Sequence, residues 1–367
     1  MKTFWLSVIF IFSSLVFISS SSDFITKIIA RYRYKTENIL GSSKYRYGDM
    51  YGLCYLPYAK QASQRKEKTV IMPNICPTPR FINLYSICDS YLWEYVKSDS
   101  VFCGVKKYQF VRYGFNETMD VDLDSTRTNV LLLESVERNV RFVSLENYTS
   151  QVRFLNTSKP NTSGKQETSG GFAFLLNFLS DQINNLHDNL FNEKINQNLE
   201  FNLFDYYLFN PVKELKAQLI YSLFGRLNKD VTMIKGYPNL FFNETVDPAS
   251  QNSSFNCVTD DEINSITTGL DTLYKYYRSK GFDEVCFFIA PNPVSIIAPD
   301  YLIYNDIVRR IEHHPQLIMP MIDIYDVFDT VKCPVYQVND SHWNANGFNL
   351  WVNTFNEYLK KIPEKKL

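Results

Sequence analysis

An acid and a base lie two positions apart near the carboxyl end of the chain, in the sequence Asp340-Ser341-His342-Trp343. In an extended segment, residues i and i+2 point to the same side of the backbone, so Asp340 can orient the imidazole of His342. A carboxylate in this place also stabilises the imidazolium that forms when the ring accepts a proton. The spacing therefore predicts that His342 is a general base, although the same residue types also occur in ordinary loops.

The other three histidines fit this role less well. His187 lies in a polar helical pattern. His313 and His314 precede Pro315 at a predicted helix end, where a histidine commonly interacts with the helix dipole.

The sequence Gly48-Asp49-Met50-Tyr51-Gly52 predicts a tight turn near the other end of the chain. If a short strand precedes this turn and a helix follows it, residue 50 lies at the carboxyl edge of a sheet, where ligands bind in open α/β folds. Backbone N–H groups at the start of a helix can hold an oxyanion there. A purely structural turn is the alternative, in which glycine supplies backbone freedom.

If the turn at residues 48–52 carries a nucleophile for His342, Met50 cannot serve, because its thioether has no proton to give and cannot form an acyl-enzyme as a serine does. Three other nucleophiles are open. Cys54 lies one turn into the predicted helix, roughly 6 Å along its axis, and is expected to point into the protein. Ser341 lies between the acid and the base and faces away from both. Water activated by His342 needs no nucleophilic side chain.

Apolar runs predict buried strands at residues 126–134, 284–289 and 317–324, the last broken by Pro320. Apolar residues at spacings of three and four predict helices at residues 212–224, 259–280, 304–313 and 346–362. Thr259 and Glu262 fit a capping box at the start of the second of these helices. The alternation of strands and helices predicts an α/β fold with a mainly parallel sheet.

Residues 1–22 predict a secretory signal peptide, because Lys2 precedes a mostly apolar stretch and small serines follow it. An uncleaved anchor, which would associate the protein with a membrane, is the alternative. Residues 23–367 are predicted to form one domain. Within it, residues 156–171 are polar and predict a loop, and residues 172–235 carry helical patterns that favour an inserted helical segment.

The composition favours a globular, exported protein. The chain is 45% hydrophobic and 21% charged, with a net charge of −1, and it has no basic block that would indicate nucleic-acid binding. Seven cysteines leave at least one unpaired; Cys76, Cys88 and Cys103 are close enough in sequence to form disulfides, and Cys286 is expected to be a buried thiol. No C-x-x-C spacing occurs, so no metal or cofactor is predicted.

Three short blocks resemble the SGNH (GDSL-like) hydrolase superfamily, and in particular its exported alginate O-acetyltransferase-like group, which has an Asp-x-His-Trp motif. Gly48-Asp49-Met50 stands where that superfamily has Gly-Asp-Ser. Residues 131–138 resemble a strand that ends in an acidic residue and a Glu-Arg pair, and residues 340–343 with Gly347 resemble the Asp-Thr-His-Trp block. The resemblance implies a three-layer, flavodoxin-like α/β fold, in which a serine attacks an acyl carbonyl, His342 takes its proton and Asp340 orients His342.

Around this acid and base we predict oxyanion or substrate contacts at six positions: Asp49, Met50, Glu134, Arg138, Asn292 and Trp343. Asn292 is included because it follows the strand at residues 284–289. Glu134 and Arg138 fit a structural ion pair equally well; alternatively, Arg138 near the pocket holds an acidic sugar or a developing negative charge.

Three functions are compatible with the sequence. With Met50 in place of serine, the first is an impaired or non-catalytic SGNH-like protein that binds acylated or anionic carbohydrate. The second is an active carbohydrate esterase or O-acyltransferase that uses His342 and Asp340 with water or another nucleophile. The third is a structural partner in the assembly of an exported polysaccharide, at the cell surface or in the periplasm. The abundant aromatic residues fit either core packing or sugar stacking.

Overall fold

The computed structural model describes residues 2–36, 38–42, 46–61, 81–96, 98–115, 117–155 and 193–363. The strands are β1 (Ile82–Cys88), β2 (Val105–Arg112), β3 (Met119–Val121), β4 (Thr128–Val136), β5 (Val152–Phe154), β6 (Val231–Met233), β7 (Leu240–Phe242) and β8 (Glu284–Ala290). The predicted polar loop at residues 156–171 lies outside the described residues.

The helices of the described residues are α1 (Lys2–Ser21), α2 (Asp23–Lys35), α3 (Asp49–Cys54), α4 (Pro57–Gln61), α5 (Ser90–Trp93), α6 (Leu145–Thr149), α7 (Glu193–Phe204), α8 (Asn210–Phe224), α9 (Asn243–Val246), α10 (Asp260–Ser279), α11 (Pro293–Ile297), α12 (Ile307–Glu312), α13 (Tyr325–Thr330) and α14 (Ala345–Leu359). The chain divides into two compact units. One comprises residues 1–57 and 159–226, and the other comprises residues 58–158 and 227–367.

A four-stranded sheet in the order β2-β1-β4-β8 organises the larger unit, and all three pairings are parallel. Every residue of β1 and β4 is buried, as is usual for strands of a parallel sheet that is covered on both faces. The predicted α/β fold with a mainly parallel sheet is therefore confirmed.

Helices cover the two faces of this sheet. Leu84 and Leu132 pack on one side with Trp351 of α14, and Leu131 and Leu133 pack on the other side with helix α10. Alternate residues of a strand point to opposite faces, so a single apolar run supplies both cores. Helix α10 begins with the predicted capping box: Thr259 Oγ1 accepts the Glu262 N–H, and the Glu262 carboxylate accepts the Thr259 N–H.

The strand predicted at residues 317–324 does not form. Met321 makes a single parallel bridge to Phe287, where the Phe287 N–H donates to the Pro320 carbonyl and the Ile322 N–H donates to the Phe287 carbonyl. Pro320 lacks the N–H that a longer ladder needs, so the contact ends after one bridge.

The smaller unit is helical in its described part. Asp205 joins several of its segments, because its carboxylate accepts hydrogen bonds from Ser42, Tyr55 and Lys213 and its carbonyl accepts one from Arg33. Within α1, the 19 residues Thr3–Ser21 are long and apolar enough to cross a membrane and are 6% buried, properties that a signal sequence shares.

Candidate active site

The turn that follows β1 presents Ser90. Asp89 is the N-cap of α5, and its Oδ1 accepts the Ser90 N–H at 2.5 Å. The Asp89 N–H donates to Oε2 of Glu134, near the end of β4, at 2.9 Å. Two neighbouring parallel strands thus fix the turn, and Ser90 lies at the carboxyl edge of the sheet, where ligands bind in open α/β folds.

A second loop, immediately before α14, carries the acid and the base. The Gln337 N–H donates to the His342 carbonyl at 3.1 Å, and Tyr336 forms an antiparallel bridge with Trp343. Tyr91 of α5 donates its hydroxyl to the Ser341 carbonyl at 2.5 Å. The residue that follows Ser90 therefore ties this loop to the turn after β1.

Ser90, His342 and Asp340 form a continuous hydrogen-bonded chain. His342 Nε2 lies 2.7 Å from Ser90 Oγ, and His342 Nδ1 lies 2.5 Å from Asp340 Oδ1. Asp340 is fully buried, and its Oδ1 also accepts the His342 N–H at 3.1 Å. A carboxylate at Nδ1 keeps the proton on that nitrogen, so Nε2 is left to accept the proton of the serine.

This geometry offers Ser90 as a nucleophile, whereas the sequence predicts that Met50 occupies the nucleophile position, which stays a prediction. The hydroxyl within hydrogen-bonding distance of His342 belongs to Ser90, which lies in the same unit as His342. Arg46 and Tyr47 lie in a turn and a bend, so no strand leads into Gly48, and Met50 is a buried residue of α3 in the other unit. Asp49 begins the same short helix, and its predicted contact with substrate stays a prediction.

The other predicted nucleophiles are placed as follows. Cys54 is buried, as expected from its place in α3, and burial raises the pKa of its thiol. Ser341 is buried, and its carbonyl accepts the Tyr91 hydroxyl. Cys286 is a buried free thiol of β8, as predicted, and Cys103 is disulfide-bonded.

Glu134 supports the turn before Ser90. Its side chain is fully buried, Oε2 accepts the Asp89 N–H, and Oε1 has no hydrogen-bonding partner among the described residues. Burial, followed by the neighbouring charge of Asp89, raises the pKa of Glu134 well above its ordinary value. We find no ion pair between Glu134 and Arg138 within the described parts of the chain.

Arg138 lies beside the residues that flank Ser90. Burial alone would lower the pKa of Arg138, but the interactions with Tyr91, Asp89 and Glu244 raise it overall. Its Nε is 3.8 Å from Glu244 Oε1, its guanidinium lies over the Phe242 ring, and its buried Nη1 has no hydrogen-bonding partner among the described residues. The Arg138 guanidinium is permanently charged and has an unpaired N–H donor at Nη1, so it is suited to binding an anion.

Asn292 follows β8 at the same edge of the sheet but is held in a buried polar cluster. Its N–H donates to Glu137 at 2.7 Å, and its Nδ2 donates to Ser254 at 3.0 Å. Ser295 also donates to Glu137. These contacts give Asn292 a structural role, and a contact with substrate stays a prediction.

Trp343 is fully buried in the core, and its predicted contact with substrate stays a prediction. Its side chain is 0% exposed and packs against aromatic rings of the core. The ring of Tyr91 lies 5.0 Å from it, edge to face, and that of Phe288 stacks at 6.4 Å. Trp343 anchors the loop that holds His342.

No known protein-family model, curated protein or solved structure matches this chain. The assignment of the site therefore depends on its geometry alone.

Ser90 was the functional residue that sequence reasoning missed. A signal for it exists: the apolar run at residues 81–88 is followed at once by Asp89-Ser90, which differs from the Gly-Asp-Ser word by Cys88 in place of glycine. Without the glycine, Asp89-Ser90 alone does not distinguish a nucleophile turn from an ordinary helix cap.

Proposed function

We propose that this protein catalyses acyl transfer, with Ser90 as the nucleophile, His342 as the general base and Asp340 as the residue that orients His342. The observation that carries the proposal is the 2.7 Å contact between Ser90 Oγ and His342 Nε2, continued at 2.5 Å from Nδ1 to Asp340. A nucleophile, a base and a third group in hydrogen-bonding sequence are the recurring signature of covalent acyl catalysis.

The reaction divides into two steps. Ser90 Oγ attacks the acyl carbonyl carbon and gives its proton to His342 Nε2, and the imidazolium then protonates the departing alcohol oxygen. In the second step His342 takes a proton from water or from an acceptor hydroxyl, which attacks the acyl-serine and releases Ser90. Asp340 stabilises the imidazolium in both steps.

Arg138 is suited to the negative charge that develops in this reaction. Arg138 is cationic, lies beside Asp89 and Tyr91 and has an unused buried Nη1. It supports either an anionic substituent on the substrate or the oxyanion of the tetrahedral intermediate. Tyr91 and Tyr95 hold the catalytic loop by donating to the Ser341 and Trp343 carbonyls. Burial and the charge of Asp340 raise the pKa of Tyr95, so it stays a donor throughout.

The proposal removes the reason for expecting an inactive protein, because that expectation depended on Met50. The resemblance to SGNH hydrolases and their three-layer fold makes carbohydrate O-acyl groups the first substrates to test. The apolar helix α1, as a signal sequence or an anchor, supports a location outside the cytoplasm or at a membrane.

The test is hydrolysis of p-nitrophenyl acetate by the wild type and by Ser90→Ala, His342→Ala and Met50→Ala. We expect burst kinetics in the wild type and a loss of at least about 1,000-fold in kcat for the first two variants. Met50→Ala is expected to keep its activity if it folds, which circular dichroism checks.

A covalent probe separates catalysis from binding. A fluorophosphonate should label the wild type on Ser90, as located by peptide mass spectrometry, and should not label Ser90→Ala. Labelling of another residue, or wild-type activity that persists in Ser90→Ala, would overturn the proposal. Absence of both labelling and turnover, with acylated glycans still bound, would favour the non-catalytic function.

A further inference from the structure

Helix α8 of the smaller unit leaves an apolar stripe exposed along its length. The stripe consists of side chains that are 51–70% exposed: Val212, Leu215, Leu219, Leu223 and Phe224. The first four follow spacings of three and four residues, so they lie on one side of the helix. Within α8, the buried residue is Asn210. An exposed apolar surface of this extent usually marks a site of interaction.

The polar contacts that the structure describes between α8 and the rest of its unit lie in the first turn. Asn210 Nδ2 donates to the Tyr51 hydroxyl at 3.2 Å, and this hydroxyl donates to Glu214 Oε1 at 2.6 Å. Lys213 Nζ donates to Asp205 Oδ1 at 3.4 Å. A helix of 15 residues is only marginally stable in water without packing of an apolar face. The apolar stripe is therefore expected to be covered.

Helix α1 of the same unit indicates what covers the stripe. Its apolar stretch of 19 residues is long enough to cross a membrane. Helix α7 packs against α1, where Asn202 Nδ2 donates to Ser20 Oγ at 2.9 Å. Apolar residues of α7 and α8, among them Leu203 and Val212, also line an open groove of about 710 Å³. Helix α7 thus connects the apolar stretch of α1 to the apolar stripe of α8.

The exposed charges near the apolar stripe suit a lipid surface. Among residues 210–226, Lys213 and Glu214 are half-buried, and the two charged residues that are exposed, Lys216 and Arg226, are both positive. Positive side chains are attracted to anionic headgroups, and their apolar stems can lie along the acyl chains. A second copy of α8 would instead bring like charges together, which is unfavourable.

We propose that α8 lies in the interface of a lipid bilayer, with the apolar stripe among the acyl chains and with Lys216 and Arg226 at the headgroups. Helices of this kind bury their apolar face to a depth of about 5–10 Å. The proposed surface belongs to the smaller unit and does not depend on the proposed acyl transfer.

The experiment reconstitutes the full chain into vesicles of phosphatidylcholine and phosphatidylglycerol with brominated acyl chains. Bromine quenches a tryptophan that reaches the acyl chains. The reporter is Leu219→Trp in a Trp5→Phe background, which removes the tryptophan of α1. The other three tryptophans lie in the larger unit, and their signal is subtracted with that of the background protein. We expect brominated lipid to lower the reporter signal at least about twofold.

Gln218→Trp in the same background is the matched control. Gln218 is adjacent to Leu219 in sequence but about 100° away around the helix, and its Nε2 donates to Ser222 Oγ at 3.0 Å. We expect its signal to be quenched less than half as strongly. Equal quenching of the two reporters, or none, would overturn the proposal. Dimers detected by cross-linking together with an unquenched Leu219→Trp signal would assign the stripe to a second copy and would overturn it too.

Protection from trypsin tests the same surface without a reporter. In vesicles, the bond after Lys216 should resist cleavage in the wild type and be cleaved in the double variant Leu219→Glu, Leu223→Glu. Gln218→Glu with Ser222→Glu adds the same charges at the same spacing off the stripe, and it should stay protected. Cleavage of the wild type, or equal cleavage of the two double variants, would contradict the proposal.

Discussion

Ser90 and His342 are 252 positions apart in sequence and yet within a hydrogen bond of each other. Each is placed by a contact that its immediate neighbours make: Asp89 bonds Glu134, and Tyr91 bonds Ser341. The pair Asp340–His342 could be predicted from its spacing because acid and base belong to one segment. The nucleophile cannot be predicted from sequence spacing, because its distance from His342 depends on which strand occupies the centre of the sheet.

Arg138 gives the first prediction at the residue scale. Arg138→Gln should lower kcat/KM for ester hydrolysis about 100-fold, because it removes a charged donor from the side of Ser90. Comparing a neutral with an anionic ester separates the two roles. A loss in kcat for both substrates indicates the oxyanion, and a rise in KM for the anionic ester alone indicates substrate binding.

Arg141 is the matched control for Arg138. It lies on the same 3₁₀ segment, Glu137–Phe142, but bonds Asn256 and Glu262. Arg141→Gln is expected to leave kcat/KM within about twofold of the wild type. Equal losses in both variants would mean that Arg138 acts on folding rather than on the reaction.

Glu134 gives a prediction about pH. Its folded pKa is raised above the ordinary 4.5, so the native state keeps a proton that the unfolded state releases as pH rises. Wild-type unfolding free energy therefore falls with pH above about 4.5, until the folded pKa is passed. Glu134→Gln cannot lose this proton, and its stability relative to the wild type should increase between pH 4.5 and pH 8 in urea titrations.

Glu262 supplies a control of opposite sign. Its pKa is lowered, first by the hydrogen bond from the Thr259 N–H, so its contribution to stability is present above pH 4.5 and lost in acid. Relative to the wild type, Glu262→Gln should become less stable as pH rises. A Glu134→Gln difference that does not change with pH would show that Glu134 titrates alike in the folded and unfolded chains.

At the scale of elements, the sequence predicts the helices and strands that have a long periodic or apolar pattern or a recognisable helix cap. Helices α8, α10 and α14 and strands β4 and β8 occur where periodicity and apolar runs placed them, within a few residues. The apolar pattern does not predict strand β1, because the Asn83, Tyr85 and Ser86 side chains interrupt its apolar residues. Those polar residues are accommodated by partners that only the fold supplies, such as the hydroxyl of Tyr108 for Ser86.

Gly347 tests how closely α14 must approach the catalytic loop. A Cβ at this position would lie 2.3 Å from the Val335 carbonyl oxygen and 2.7 Å from Trp343 Cβ. Because one of these atoms belongs to the backbone, Gly347→Ala should lower the free energy of unfolding by about 1–3 kcal/mol and reduce esterase activity. Chemical denaturation and kinetics on the same samples measure both effects.

Gly269, within α10, is the matched control. A Cβ there would have its nearest contact 3.9 Å away, at the Val143 carbonyl oxygen. Gly269→Ala is expected to raise stability by about 0.5–1 kcal/mol, as alanine does in a helix interior. Similar behaviour of the two variants would show that the approach of α14 to the loop is not tight.

At the scale of the whole molecule, Ser90, Asp340 and His342 all belong to the larger unit. The serine comes from residues 58–158 and the acid and base from residues 227–367, on either side of the segment that belongs to the smaller unit. The helical patterns of residues 172–235 predict an inserted segment in this region. The order of the strands in the sheet cannot be predicted from the sequence, because neighbouring parallel strands such as β4 and β8 are separated by about 150 residues.

The disulfide of Cys103 links compartment to stability. Disulfides persist in oxidising compartments, and the apolar amino-terminal helix has the length and composition that a signal sequence shares. The Cys103 N–H donates to Asn356 Oδ1 of α14 at 2.7 Å, so this cross-link lies against the helix that follows the catalytic loop. Dithiothreitol should lower the free energy of unfolding by about 2–4 kcal/mol.

Two serine variants distinguish loss of the disulfide from a general effect of the reductant. Cys103→Ser should be as unstable as the reduced wild type and should not respond further to dithiothreitol. Cys333→Ser removes an exposed free thiol and should keep both the stability of the wild type and its response to the reductant. Because the cross-linked segment bonds α14, esterase activity should fall at a lower urea concentration after reduction. Unfolding that is the same with and without dithiothreitol would contradict this contribution of the disulfide to the stability of the site.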